Sequence, residues 1–115
     1  MNQTERFPKT ERLKSSEVKE VFEKGSQIRG KSLSLFFIRK KEGNKLAVAA
    51  SKKASKRAVV RNRAKRLLRE VYRKNKSFFP SPYFYVLLRH QVPQEMTYQT
   101  TLEEVKHLTN QMKKA

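Results

Sequence analysis

Residues Ser51–Lys76 read SKKASKRAVVRNRAKRLLREVYRKNK, and the spacing of this stretch decides what the rest of the chain must support. With Val60 at zero and an advance of 100° per residue, Ala64, Leu67, Leu68 and Val71 fall within about 80° of it and form one apolar stripe. The spacing predicts a long helix from about Lys56 to Asn75, with Ser55 as its N-cap. Asn62, Arg66, Arg69 and Arg73 line up on the opposite side, flanked by Arg61, Arg63 and Lys65. The stretch holds twelve Lys or Arg residues against one acid, Glu70. Like charges four residues apart repel by a few tenths of a kcal/mol in an isolated helix. A face that accepts this repeatedly points to an anion outside it. A merely solvated face would mix signs, as Glu–Lys ladders do. Arginine binds a phosphate in two-pronged fashion, lysine acts as a point charge, and Asn62 adds a neutral donor and acceptor able to meet a base edge or a 2′-hydroxyl.

Upstream, Leu46–Ser51 is a strand unusually rich in alanine, leaving room for a close neighbour. The segment Lys41–Lys45, with Gly43-Asn44 at its centre, carries a hairpin signal. Gln27–Lys40 reads as one strand, with Leu33, Leu35 and Phe37 alternating against Ser32, Ser34, Phe36 and Ile38. A short helix is expected from Ser15 or Ser16, capped by a serine, with Val18, Val21 and Phe22 on one side and Gly25 as its stop. Residues 1–12 are polar and are expected to be extended or loosely docked. Downstream, Pro80 and Pro82 break the helix. Tyr83–Arg89 is almost wholly apolar and should be a strand buried on both faces. A loop from His90 to Met96 leads to a last helix, Thr97 to about Met112. No repeat, linker or second domain is visible, so residues 1–115 read as a single domain.

The whole chain repeats the message of its basic stretch. Its 115 residues carry 28 Lys or Arg against 10 acids, a net charge of +18. Every acid is glutamate, and there is no cysteine. Disulfides, thiol nucleophiles and zinc-thiolate sites are thereby excluded. Two histidines, His90 and His107, without aspartate make a self-contained metallo-nuclease or Ser-His-Asp hydrolase an unsuitable reading; both histidines are assigned surface roles. No apolar run approaches the roughly 20 residues that span a bilayer, and the first residues lack the apolar core of a secretory signal. A cytoplasmic location and no membrane partner are expected. Because cations interleave with apolar residues throughout, a disordered basic tail does not fit, and nucleic acid is the leading partner.

At Ser51–Glu70 the pattern becomes specific. Arg61-Asn62-Arg63 followed by Lys65-Arg66-Leu67-Leu68-Arg69-Glu70, with Ser51-Lys52-Lys53 before them, resembles the signature of the bacterial ribonuclease P protein subunit. The resemblance extends to Arg12-Leu13-Lys14, Val21-Phe22 with Gly25, the strand ending Leu88-Arg89, and the Thr97-led helix. It implies an α+β fold, a single-domain α-β sandwich of order α-β-β-β-α-β-α, similar to the second domain of ribosomal protein S5. It also implies a left-handed β-α-β crossover, where chain physics alone favours the right-handed one.

The resemblance implies a part in an endoribonuclease holoenzyme that removes the 5′ leader of precursor tRNA. Catalysis would belong to the RNA subunit and its Mg²⁺, and the protein alone would be inert. Ribonuclease P RNA and precursor tRNA are the expected partners, with no obligate protein partner. Arg61, Asn62, Arg63, Lys65, Arg66, Arg69 and Arg73 would face the catalytic RNA. Val18, Phe22, Lys31 and Phe36, with Lys52 and Lys53 at the rim, would form a cleft for the single-stranded leader. Aromatic rings flanked by positive charge suit a strand bound without sequence preference.

Five residues depart from the family's usual pattern: Val18 for an aromatic, Ser34 for a larger apolar residue, Ala47 for glycine, and His90-Gln91 for small residues. In any such fold Phe22 and Phe36 also serve as core candidates. Phe78, Phe79, Tyr83 and Tyr85 read as packing residues, and Glu70 as a partner for Arg66 or Arg73. A small ribosomal RNA-binding protein and a DNA-binding module that uses the basic helix are the rival readings.

Overall fold

The computed structural model describes residues 9–114. In chain order these form α1 (Ser15–Lys24), β1 (Ser26–Arg29), β2 (Leu33–Arg39), β3 (Lys45–Ala50), α2 (Ala58–Lys74), β4 (Tyr83–Arg89) and α3 (Tyr98–Lys114). Single turns of 3-10 helix lie at Lys9–Glu11 and Lys76–Phe78. The fold is the expected α+β arrangement, with one mixed four-stranded sheet in the order β1-β2-β4-β3.

Strand order corrects two local readings. The stretch read as one strand, Gln27–Lys40, is two. The chain reverses at Gly30-Lys31-Ser32, and β1 runs antiparallel to β2 with Ser26 opposite Phe37 and Arg29 opposite Ser34. Gly30 is required there by a close approach, since a Cβ would stand 2.6 Å from the Leu33 carbonyl oxygen. The segment Lys41–Lys45 is not a hairpin. β4 lies between β2 and β3, antiparallel to the first and parallel to the second. The connection instead passes over the start of β4. Lys40 N–H donates to the Pro82 carbonyl (3.1 Å), and Asn44 Oδ1 accepts the Tyr83 N–H (2.8 Å). Gly43, at φ +100°, supplies the left-handed turn this path needs.

β4 takes the inner position because it is apolar on both faces, and the alternation of its side chains builds two cores. Tyr85 and Leu87 join Leu33, Leu35 and Leu46 under α2 and α3, which contribute Leu68, Val71, Tyr72, Val105, Leu108 and Met112. On the other face Phe84 and Val86 meet Val21 of α1, with Leu13, Val18, Phe36, Ile38 and Ala47 packed around them.

Helix boundaries follow their capping groups. α1 begins after Lys14 rather than at a capping serine, and the Lys14 N–H donates back to the Glu17 carboxylate (2.7 Å). Ser55 does not cap α2. Arg57 holds the N-cap position, and Ser55 Oγ accepts the Arg57 N–H (3.2 Å) in the loop before it. Thr97 caps α3 in a reciprocal pair: Thr97 Oγ1 accepts the Thr100 N–H (3.2 Å), and Thr97 N–H donates to Thr100 Oγ1 (2.9 Å).

The expectation of a loose N-terminus falls partly outside the described residues. From residue 9 onward it is replaced by an ordered strip along the free edge of β3. Arg12 pairs with Leu46 in a parallel bridge, and Leu13 N–H donates to the Leu46 carbonyl (3.1 Å). Covering an edge in this way blocks pairing with other chains. No helix among the described residues is long and apolar enough to cross a membrane.

Candidate nucleic-acid interface

α2 buries Ala64, Leu67, Leu68, Val71 and Tyr72, so its stripe lies where the 3.6-residue period requires. The opposite side is turned to solvent, with Asn62, Arg63, Arg66 and Arg69 exposed and Arg61, Lys65 and Arg73 half-buried. Two of these cations also hold local structure. Arg61 Nη1 donates to the Ser55 carbonyl (2.8 Å) and Arg63 Nη2 to the Met96 carbonyl (3.1 Å), tying the loops before α2 and α3 to the helix. Arg69 is held below the ordinary arginine range by partial burial first and by the charge of Arg12 second.

Among the described residues, salt bridges join Lys40 to Glu20, Lys45 to Glu17, Lys74 to Glu70, Lys76 to Glu11 and Arg89 to Glu104. None includes Arg61, Arg63, Lys65, Arg66, Arg69 or Arg73. Glu70 thus pairs with Lys74, one turn on at 3.5 Å, rather than with Arg66 or Arg73. The arginines of the row enter no salt bridge among the described residues, and Glu70, the one acid on α2, is engaged with Lys74.

Across the sheet, α1 lies over one face. Phe22 is 42% exposed and meets Phe36 edge-to-face, with ring centroids 4.7 Å apart. Phe36 is half-buried and packs on the Val21–Phe84–Val86 cluster, as does Val18. The structure thus gives Phe36 and Val18 packing roles and leaves Phe22 as the ring open to a ligand. Lys52 and Lys53 are exposed on the turn between β3 and α2. Lys31 is not brought to this group: it sits at the β1–β2 reversal and lines a shallow hollow with Glu103, Glu104 and His107 of α3.

Comparison with known proteins matches residues 7–113 to the family described as Ribonuclease P. The chain belongs to this family. Ribonuclease P proteins include a relative from Petrotoga mobilis, 39% identical over 84 residues covering 71% of this chain and 70% of its own. Another, from Clostridium acetobutylicum, is 30% identical over 100 residues, covering 84% and 83%. Both are named Ribonuclease P protein component. Among solved structures, the Staphylococcus aureus RNase P protein superposes with a TM-score of 0.78 at 24% identity, covering 90% of this chain and 95% of that one. The protein from Thermotoga maritima gives 0.75 at 21%, covering 88% and 96%. These two establish the fold. Membership in the ribonuclease P family carries RNA binding and tRNA 5′ processing as part of an endoribonuclease holoenzyme.

Two features escaped sequence reasoning. Arg89, fully buried, forms a two-pronged pair with Glu104 of α3 at 2.8 and 3.0 Å, and both side chains also bond Ser32 Oγ. The available signal was an arginine closing a strand with no solvent-facing side. His90, assigned to the surface, is half-buried with Nε2 shielded from solvent, and burial, Arg29 and Arg89 together lower its pKa. His107 is exposed as expected, with Nε2 2.8 Å from Gln111 Nε2.

Proposed function

We propose that this chain binds ribonuclease P RNA through the outward face of α2 and holds the 5′ leader of precursor tRNA against the α1 side of the sheet. The observation that carries the reading is the row Asn62, Arg66, Arg69 and Arg73, turned outward with no acid paired to its arginines among the described residues. Each phosphate such a row neutralises releases counterions, which makes affinity large at low salt and steeply salt-dependent. Arg61, Arg63 and Lys65 extend the row on either flank. Phe22 offers a ring face to any base, and Lys52 and Lys53 offer charge to the phosphates beside it, the combination that suits a single strand.

Hydrolysis in this reading is the work of the RNA subunit. Among the described residues no three His, Cys, Asp or Glu side chains converge to hold a metal ion. Mg²⁺ belongs to the RNA in this reading, and the chain acts by strengthening association and by registering the leader relative to the scissile phosphate. No membrane and no obligate protein partner enter the proposal, and the cytoplasm is the compartment it requires.

The test is a binding competition. The purified chain is titrated with a bacterial ribonuclease P RNA, a ribosomal RNA fragment of equal length and a DNA duplex, each at several salt concentrations. Preference for ribonuclease P RNA beyond the shared electrostatic component supports the reading. Equal or tighter binding to ribosomal RNA or duplex overturns it.

A further inference from the structure

Among the described residues two large apolar side chains stand exposed, Phe22 at 42% and Val59 at 65%. Phe22 belongs to the proposed leader surface, whereas Val59 stands in the first turn of α2. At 100° per residue Val59 lies about 20° from Arg66 and about 60° from Asn62, within the basic row and away from the apolar stripe. Folding gains little from a valine there. Most of the side chain is in water, and a β-branched residue is a poorer helix former than alanine or the basic residues around it. The stripe is served instead by the next residue, Val60, which is half-buried. Val59 does offer what the arginines lack, a stiff apolar knob held by the helix in one main rotamer, which loses little freedom on contact. Its neighbours one turn on are Asn62 and Arg63, at the three- and four-residue spacings that bring Cβ atoms to about 5–6 Å on a helix surface.

We propose that Val59 is the apolar contact of the α2 interface, packing on the open face of an unpaired RNA base while Asn62 meets the edge or the 2′-hydroxyl of the same nucleotide. The proposal rests on the reading of α2 as the RNA interface and adds to it a component that salt does not screen. An unpaired base presents a face that a base stacked within a duplex does not, and loops and bulges are where proteins read RNA. The flanking charges suit that position. Lys56 and Arg57 before Val59 and Arg66 beyond it are exposed, and none enters a salt bridge among the described residues. Phosphates on either side of the base would therefore meet cations. A second copy of this chain is a poorer occupant, because the cations around Val59 would face a molecule of net charge +18.

The test is binding to a bacterial ribonuclease P RNA across a salt series for wild type, Val59→Ala, Val59→Thr, Val59→Ile and, as reference, Arg66→Ala, with a DNA duplex as second probe. Val59→Ala should weaken RNA binding about five- to tenfold, the worth of two methyl groups partly buried on contact. The slope of log affinity against log salt should stay that of wild type in this variant and fall by about 0.7–0.9 in Arg66→Ala. Val59→Thr, equal in shape but more polar, should lose part of the affinity, and Val59→Ile should bind at least as tightly as wild type. On the duplex the Val59 variants should all bind like wild type. Alanine is the better helix former, so Val59→Ala should melt no lower than wild type, which separates a lost contact from a lost fold. A Val59→Ala variant that binds ribonuclease P RNA like wild type while Arg66→Ala is weakened overturns the contact. So does an equal loss on RNA and duplex, or a changed salt slope. Sedimentation showing wild type self-associated and Val59→Ala monomeric assigns the valine to a second copy and overturns it too. If Arg66→Ala also binds like wild type, it is the reading of α2 itself that fails.

Discussion

The guanidinium of Arg89, at the end of β4, lies wholly buried against the carboxylate of Glu104 in α3, with paired contacts of 2.8 and 3.0 Å. This pair ties the central strand to the last helix, and Ser32 adds the β1–β2 reversal to the same knot. A buried pair of this kind adds little net stability over an apolar replacement, but loss of one partner strands a charge. Glu104→Ala is expected to destabilise the fold by about 3 kcal/mol or more. The double variant Arg89→Met, Glu104→Leu should recover part of that loss. Urea unfolding of the three proteins checks the order, and a double variant less stable than Glu104→Ala would contradict it.

Phe22 separates substrate binding from folding more cleanly than Phe36. Its ring is 42% exposed and outside the buried cores, so Phe22→Ala should cost about 1 kcal/mol in stability. It should weaken affinity for precursor tRNA with a leader by about 1–3 kcal/mol, the worth of one stacked base, and leave leaderless tRNA unaffected. Phe36→Ala should chiefly reduce stability, because Phe36 packs on the Val21–Phe84–Val86 core, and should weaken leader binding only through the Phe22 ring it supports edge-to-face. Equal losses with and without a leader would remove Phe22 from the leader site.

His90 makes stability depend on pH in a stated direction. Its folded pKa lies below the ordinary 6.5, first through burial and then through Arg29 and Arg89. Between the lowered value and 6.5 the unfolded chain binds more protons than the folded one, so stability rises with pH across that window. It should be complete above about pH 7 and fall as pH drops below about 6.5. His90→Gln should flatten the profile there, as read by melting temperature against pH. An unchanged profile would show that His90 carries none of it.

Gly25 tests a close approach rather than an unusual backbone angle. Its φ is −81°, open to any residue, but an added Cβ would stand 2.5 Å from the Val21 carbonyl oxygen and 2.7 Å from that of Phe37. Gly25→Ala should therefore destabilise by about 1–3 kcal/mol, since both obstacles are backbone. Denaturant unfolding with no loss of midpoint would show that α1 shifts freely over the sheet.

What was legible in the sequence was what repeats locally. The Val60–Ala64–Leu67–Leu68–Val71 stripe located α2 and its basic row, because one helical period sorts both faces at once. Tyr83–Arg89 was readable to the residue, bounded by Pro82 and left without a polar face. Strand order was not legible. The Gly43-Asn44 turn looks like a hairpin from either side, and only the insertion of β4 shows that Asn44 serves the Phe79–Tyr83 loop instead. The reversal at Gly30–Ser32 was missed although the alternation changes phase there, between Ile28 and the Leu33, Leu35 and Phe37 that share its core. Within the candidate site, the α2 cations were placed by helix geometry, whereas Lys31 turned to the α3 side with the missed reversal. Arg12 and Arg89 depend on partners in distant elements, Leu46 and Glu104, which no local pattern announces.

Precursor tRNA cleavage by a bacterial ribonuclease P RNA at low Mg²⁺, with and without this chain, tests the central claim most directly. The chain should restore leader removal at the mature 5′ end, show no cleavage when the RNA is omitted, and lose its effect when Arg66 and Arg69 are both replaced by alanine. Cleavage no faster with the chain than without it, or rescue undiminished in that double variant, would contradict the account.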